Sequence, residues 1–196
     1  MNLAISTLTT SDPAPVGLAA ALRIGTSAAH RDAERGSFVH ALIRGQLPRS
    51  TYLDYLRGLQ AIYIALETAL ETARESHHTR DLVGPELLRA PAIARDLHTL
   101  GAAELAPDLA AELAAELAAI APARAYADRL RDLADRDPTL LIAHAYTRYL
   151  GDLSGGQLLR RGAARCLGLT ATPGTPGLEF YDFPAIPDLD AYKRQF

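Results

Sequence analysis

Gly151, Gly155 and Gly156 fall within six residues of one another, and the acid Asp152 stands among them, in the run LLIAHAYTRYLGDLSGGQLLRRG at 140–162. The beginning of this run is strongly helical. A glycine in a helix interior costs about 0.5–1 kcal/mol relative to alanine, so three together need a compensating gain. One gain is close approach of the backbone to a flat ligand, with a kink that bends the helix around it. A carboxylate at 152 would then project into space free of competing side chains. The alternative is a helix C-terminus, a loop and a new helix. A second feature is His30, with Glu34 one turn further along the same face. A carboxylate beside an imidazole can accept its free N–H, fixing the tautomer and raising its basicity as a metal ligand. Arg23 lies two turns before His30, about 10 Å away at 1.5 Å per residue. That separation suits a metal at the centre of a flat macrocycle and a cation at its carboxylate edge. A histidine alone on a helix is also compatible with a purely structural role.

These residues need helices to hold them, and the composition supplies helix formers. Ala, Leu, Arg and Glu are abundant. The 196 residues suit one domain, 48% are apolar and the net charge of −3 does not suggest a nucleic-acid partner. Apolar positions recur with helical period, and β-branched runs with period two are missing. A first helix is expected over 17–35, with Leu18, Leu22 and Ala29 facing inward and Gly36 as a stop. A short helix follows over 38–44, closed by Gly45 and Pro48. Ser50 is expected to cap a long helix reaching about Glu75, with Tyr52, Leu56, Leu59, Tyr63 and Leu66 on its apolar face. Pro91, Pro122 and Pro138 each mark a further helix start, and Gly101 a stop. A final helix is expected near Asp188. Residues 77–85 read as a loop, and LAAELAAELAAI at 109–120 reads as a covering helix without chemistry.

Several classes are set aside on composition. Cys166 is the single cysteine, so neither an intramolecular disulfide nor a thiolate metal site is available. The N-terminal residues lack a basic region and a long apolar run, so residues 1–16 read as a disordered leader and a cytoplasmic location is expected. No stretch is apolar for the roughly 18 residues of a membrane span. LSGGQ at 153–157 resembles the signature loop of ATP-binding-cassette ATPases, but their GxxxxGK[ST] phosphate loop needs a lysine in a place where this chain, whose one lysine is Lys193, has none. His40, His77, His78 and His98 read as surface or loop residues. His144, about two turns before Asp152, reads as a buried or hydrogen-bonded histidine rather than a ligand.

The run AHAYTRYLGDLSGGQ at 143–157 resembles the diagnostic motif of the haem oxygenase family. The similarity extends to the helix around His30, to GLQAIYIALETAL at 58–70 and to FYDFPAIPDLDAYK at 180–193, with a poorly matched middle over about 77–122. The resemblance implies an all-α, single-domain fold over 17–196, with haem between the first helix and a kinked, glycine-rich distal helix. It implies that haem is both cofactor and substrate, cut at a meso carbon to biliverdin, carbon monoxide and ferrous iron with O2 and external electrons. His30 would be the proximal iron ligand and Glu34 its partner. Gly151, Gly155 and Gly156 would allow backbone contact with haem. Asp152 would anchor a distal network with Tyr63 and Arg148, while Thr26 and Tyr146 line the pocket and Arg23 and Lys193 face the propionates. Two departures stand out: Arg23 occupies a place where lysine is common, and the last helix reads as shortened. With no GxGxxG fingerprint, electrons are expected from a separate ferredoxin or flavoprotein reductase. Arg160, Arg161 and Arg165 are candidates for its docking surface, or simply a solvated helix face. A haem carrier or sensor, and a related helical fold acting on another substrate, are the competing classes.

Overall fold

The computed structural model describes residues 17–73, 82–101 and 118–195, and every regular element among them is helical. Its α-helices are α1 (Leu18–Glu34), α2 (Ser37–Arg44), α3 (Arg49–Thr72), α4 (Ala90–Thr99), α5 (Ala121–Arg136), α6 (Leu141–Leu167) and α7 (Leu189–Gln195). Short 3-10 turns occupy Pro85–Leu87, Pro138–Leu140 and Glu179–Tyr181. Residues 1–16 and 102–117, which hold the expected leader and most of the Leu/Ala/Glu run, lie outside the described residues, as do His77 and His78.

The core forms around α3. Its apolar stripe buries Tyr52, Leu56, Leu59, Tyr63 and Leu66, as the helical period requires. α5 packs along one side of α3, close enough that a Cβ on Gly58 would stand 3.1 Å from the Ala123 Cβ. α4 and α6 pack on its other faces. Proline starts α4 and α5 at their first turn and opens the 3-10 turn that leads into α6. Glycines in the left-handed conformation close α2 and α6, at Gly45 (φ 71°) and Gly168 (φ 69°). Asp188 caps α7, its carboxylate accepting from the Ala191 N–H at 2.9 Å.

Three local expectations are corrected. Pro48, not Ser50, precedes α3, because proline's fixed φ already suits a helix entry and no side chain caps that end. α6 runs unbroken for 27 residues through all three glycines, so the loop-and-new-helix alternative falls. α1 buries none of its residues: Leu18 is 61% exposed, and Leu22 and Ala29 do not enter the core. α1 touches α2, and near its start the Ala19 carbonyl accepts from the Tyr146 hydroxyl of α6 at 3.3 Å. Its apolar residues therefore stay outside the core formed by the described residues.

Candidate functional site

Asp152, on α6, meets Tyr63, on α3, at the place where these helices pack together. The Tyr63 hydroxyl donates to the Asp152 carboxylate. Arg148, one turn earlier on α6, donates to that hydroxyl at 3.3 Å and holds its guanidinium 5.1 Å from the Tyr63 ring centroid. Tyr63 is wholly buried, with its ring centroid 5.8 Å from that of Tyr149 and 5.9 Å from that of Phe180. Removal from water raises the Asp152 carboxyl above its ordinary range, and Arg148, the Tyr63 hydrogen bond and Arg89 only partly offset this. Burial likewise pushes the Tyr63 phenol well up. Burial alone would lower the Arg148 guanidinium, but the adjoining phenol and carboxylate outweigh it, so Arg148 stays charged. A carboxyl with a raised proton affinity, joined to a phenol and a fixed cation, can hold a proton and hand it on.

Beside this cluster α6 presents an open stripe. A Cβ built on Gly151 or Gly155 would meet nothing within 4 Å, and Leu158, one turn on, is 50% exposed. Gly156 departs from the expectation. It is buried, and a Cβ there would face the Tyr181 ring at 3.9 Å, because one residue along a helix turns the side chain by 100°. The glycine that a close backbone approach requires is Gly162, where a Cβ would collide with the Leu42 carbonyl of α2.

The remaining expected residues stand apart from the Asp152 cluster. On α1, His30 is exposed, with Nδ1 3.4 Å from Glu34 Oε1, and Arg23 is exposed too. Thr26 returns its hydroxyl to the Leu22 carbonyl at 2.8 Å. Lys193, on α7, pairs with Asp190 at 2.7 Å. His144 is satisfied by the Tyr126 hydroxyl at 2.8 Å from its Nδ1. Arg160 cannot belong to a docking surface: it is 3% exposed, paired with Asp182 at 2.8 Å and bonded to the Thr172 carbonyl. Arg165 is spent on the Ile43 carbonyl.

Residues that sequence reasoning passed over support the cluster from behind. Asp96 is fully buried and accepts from the Glu179 and Phe180 N–H groups, each at 2.8 Å. Glu67, one turn after Tyr63, accepts from the Arg89 and Ala90 N–H groups at 2.6 and 3.1 Å, so its carboxylate caps α4 from another helix. Arg89 is 4% exposed. All three lie in or bond to the poorly matched middle, where no local signal marks them.

The chain as a whole is similar to known proteins. The family model described as "Heme oxygenase" matches residues 16–196. A protein named heme oxygenase from Guillardia theta is 36% identical over 182 residues, covering 91% of this chain and 71% of that protein. The structure of heme oxygenase from Leptospira interrogans superposes with a TM-score of 0.76 at 35% identity, covering 91% of this chain and 82% of the other. Heme oxygenase-1 from Synechocystis sp. PCC 6803, solved in complex with heme, gives 0.76 at 32% identity, covering 91% and 76%. The chain belongs to the haem oxygenase family, and its fold is the all-helical one of those enzymes. Its residues fit the flat macrocycle that name implies. The glycine stripe of α6 is bare, α1 leaves Leu18 and Ile24 without burial, and the buried Arg148 Nε has no hydrogen-bond partner.

Proposed function

We propose that this chain is a haem oxygenase that cleaves haem at a meso carbon to biliverdin, carbon monoxide and ferrous iron, using O2 and electrons from a separate protein. The observation that carries this reading is the Asp152–Tyr63–Arg148 cluster set beside the bare stripe of Gly151 and Gly155. Haem supplies both the iron that engages O2 and the ring that is cut. The chain's own residues bind it, orient it and manage protons. His30 would be the proximal ligand: Glu34 engages Nδ1, which leaves Nε2 for iron. Gly151 and Gly155 would let a macrocycle lie against the α6 backbone, with Thr26 and Tyr146 at the pocket wall. Gly156 lies behind that stripe, facing the Tyr181 ring.

Asp152 would hold a proton at its carboxyl and deliver it to the distal side, with Tyr63 and Arg148 fixing the orientation of that carboxyl. Arg23 and Lys193 would meet the propionates, Lys193 exchanging its surface pair with Asp190 for that contact. A ferredoxin or a flavoprotein reductase is the class of electron donor such chemistry requires. With Arg160 buried, Arg161 is the exposed arginine of the three without a structural bond. No helix among the described residues is long and apolar enough to cross a membrane, and we assign the enzyme to the cytoplasm. The test is direct. Purified protein is incubated with haem and a reductant while the visible spectrum is recorded. Loss of the Soret band with release of biliverdin supports the oxygenase. A persistent Soret band would make the chain a haem carrier, and no band at all would remove haem from its function.

A further inference from the structure

Tyr55 is a half-buried phenol that the Asp152 cluster does not use. It stands on α3, one turn after Tyr52 and two turns before Tyr63. Between ring centroids it lies 6.0 Å from Tyr52 and 5.2 Å from Phe38, which α2 supplies. The two neighbouring phenols are spent, Tyr52 on the Tyr181 hydroxyl at 3.3 Å and Tyr63 on Asp152. Among the described residues no group bonds to the Tyr55 hydroxyl. A phenol held among apolar groups normally has a partner for its O–H.

Two helix pairings give its place. α3 passes α6 in the opposite sense: Tyr63 meets Asp152, and Tyr52 bonds Tyr181, whose ring stands 3.9 Å from a Cβ built on Gly156. Tyr55 falls between those two levels, at the height of Gly155. α2 runs along α6 in the same sense: a Cβ on Gly45 would strike the Arg165 side chain, and one on Gly162 would strike the Leu42 carbonyl. One turn back on each helix brings Phe38 level with Leu158. Both pairings converge on the stretch of α6 where Gly155 is bare and Leu158 is half exposed. Burial pushes the Tyr55 phenol up to about 12, with Arg148 opposing and Asp152 adding to the rise. At neutral pH the hydroxyl therefore keeps its proton and can donate it in a hydrogen bond.

We propose that Tyr55 is a further binding residue of the haem site: the Phe38–Tyr55 pair walls the bare face of α6 beside Gly155, and the Tyr55 hydroxyl donates a hydrogen bond to the water or small ligand held on the distal side of haem. An apolar wall with few, placed polar groups is the usual make-up of a small-molecule site. This inference rests on the reading of the bare face as the haem face.

Location and donation are tested separately. Zinc protoporphyrin, a diamagnetic macrocycle, is added to protein carrying isotope-labelled tyrosine. The tyrosine ring signals are followed by NMR, those of Tyr55 and Tyr146 assigned by their loss in Tyr55→Phe and Tyr146→Phe. The porphyrin ring current should shift the Tyr55 signals. Shifted Tyr146 signals with unmoved Tyr55 signals would overturn the proposal and leave the haem site standing. No shift in any tyrosine would remove the macrocycle site and the proposal with it. Azide, which accepts a hydrogen bond, is then titrated into the ferric haem-loaded protein. Tyr55→Phe keeps the ring and removes only the hydroxyl. Haem affinity should hold, while azide should bind about two- to tenfold more weakly, the weight of one hydrogen bond. Equal azide affinity in wild type and Tyr55→Phe would overturn the proposal, and so would a loss of haem affinity as large as the loss of azide affinity. Neither measurement needs turnover. A chain that forms no biliverdin would therefore defeat the enzymatic reading and leave Tyr55 to be decided by the ring-current shifts and the azide titration.

Discussion

In the proposed site His30 and Asp152 divide the work between an exposed ring and a half-buried acid, and they are expected to fail differently. Replacing His30 with alanine removes the nitrogen proposed to bind iron and leaves the bare face of α6 intact. Haem should still bind, turnover should collapse, and added imidazole should partly restore both activity and the spectrum. Normal turnover without imidazole would show that another group is the ligand. Asp152→Asn keeps the volume and an acceptor for the Tyr63 hydroxyl, yet removes the acid. Haem affinity, measured by absorbance titration, should change little, while biliverdin formation should fall by about 10²–10⁴-fold, the usual weight of a positioned acid–base group. A variant that makes biliverdin near the wild-type rate would contradict the role given to this carboxyl. The two residues were differently legible. His30 and Glu34 could be paired from helical spacing, and the structure places Nδ1 on Glu34. Tyr63 and Asp152 are 89 residues apart in sequence, and no local spacing could have joined them; a resemblance did.

α6 carries four glycines in three different settings. Gly151 and Gly155 keep a face bare, Gly156 faces the Tyr181 ring with room for a methyl group, and Gly162 lets α2 cross with its backbone against α6. Alanine substitution should therefore have opposite consequences along one helix. Gly155→Ala meets no neighbour, so the haem-free protein should gain about 0.5–1 kcal/mol from helix propensity alone. The new methyl stands where a macrocycle would lie, so haem should bind tenfold or more weakly, a difference of about 1.4 kcal/mol. Thermal unfolding of the haem-free variant and a haem titration measure the two arms. Unchanged affinity would mean that the bare stripe is not the haem face. Gly162→Ala should instead lower the stability by about 1–3 kcal/mol, because its Cβ strikes backbone that cannot move aside without shifting α2.

At the scale of the whole molecule, the segment after α6 is bound back onto the bundle by buried charges. Asp96 holds the Glu179–Tyr181 turn against α4, while Arg89 and Arg160 both reach Asp182. The Asp96 carboxyl is pushed up to about 6 by burial, with the Phe180 and Glu179 N–H groups opposing. Between its ordinary value of 3.8 and about 6 the folded protein keeps a proton that the unfolded chain has released. Stability from this group is therefore fully present below 3.8 and is lost as pH rises through 6, by about 2–3 kcal/mol at 1.36 kcal/mol per unit. Asp96→Asn should be less stable at pH 4, since its amide cannot accept from both N–H groups, and should show a flatter change in unfolding free energy between pH 4 and pH 6. A slope equal to wild type would place that titration elsewhere.

The sequence alone determined the helices and much of the core, because period and punctuation are local. The 3.6-residue repeat put Tyr52, Leu56, Leu59, Tyr63 and Leu66 on one buried stripe, and Pro91, Pro122, Gly45 and Gly101 stand at helix ends where the structure has them. The run 143–157 carried Asp152 and Arg148 together on one helix, four residues apart. What only the tertiary structure decided is which partner each face meets. Leu18, Leu22 and Ala29 repeat as a core face would, yet none of α1 is fully buried, because among the described residues the core does not reach its apolar side. Arg160 is charged like a surface residue and is buried, because Asp182 and the Thr172 carbonyl receive it. Arg89, Asp96 and Glu67 carry no pattern at all, since their long-range partners lie between 22 and 93 residues away. Helical spacing reports neighbours three and four residues apart; burial of a charge depends on groups that only the folded chain brings within reach.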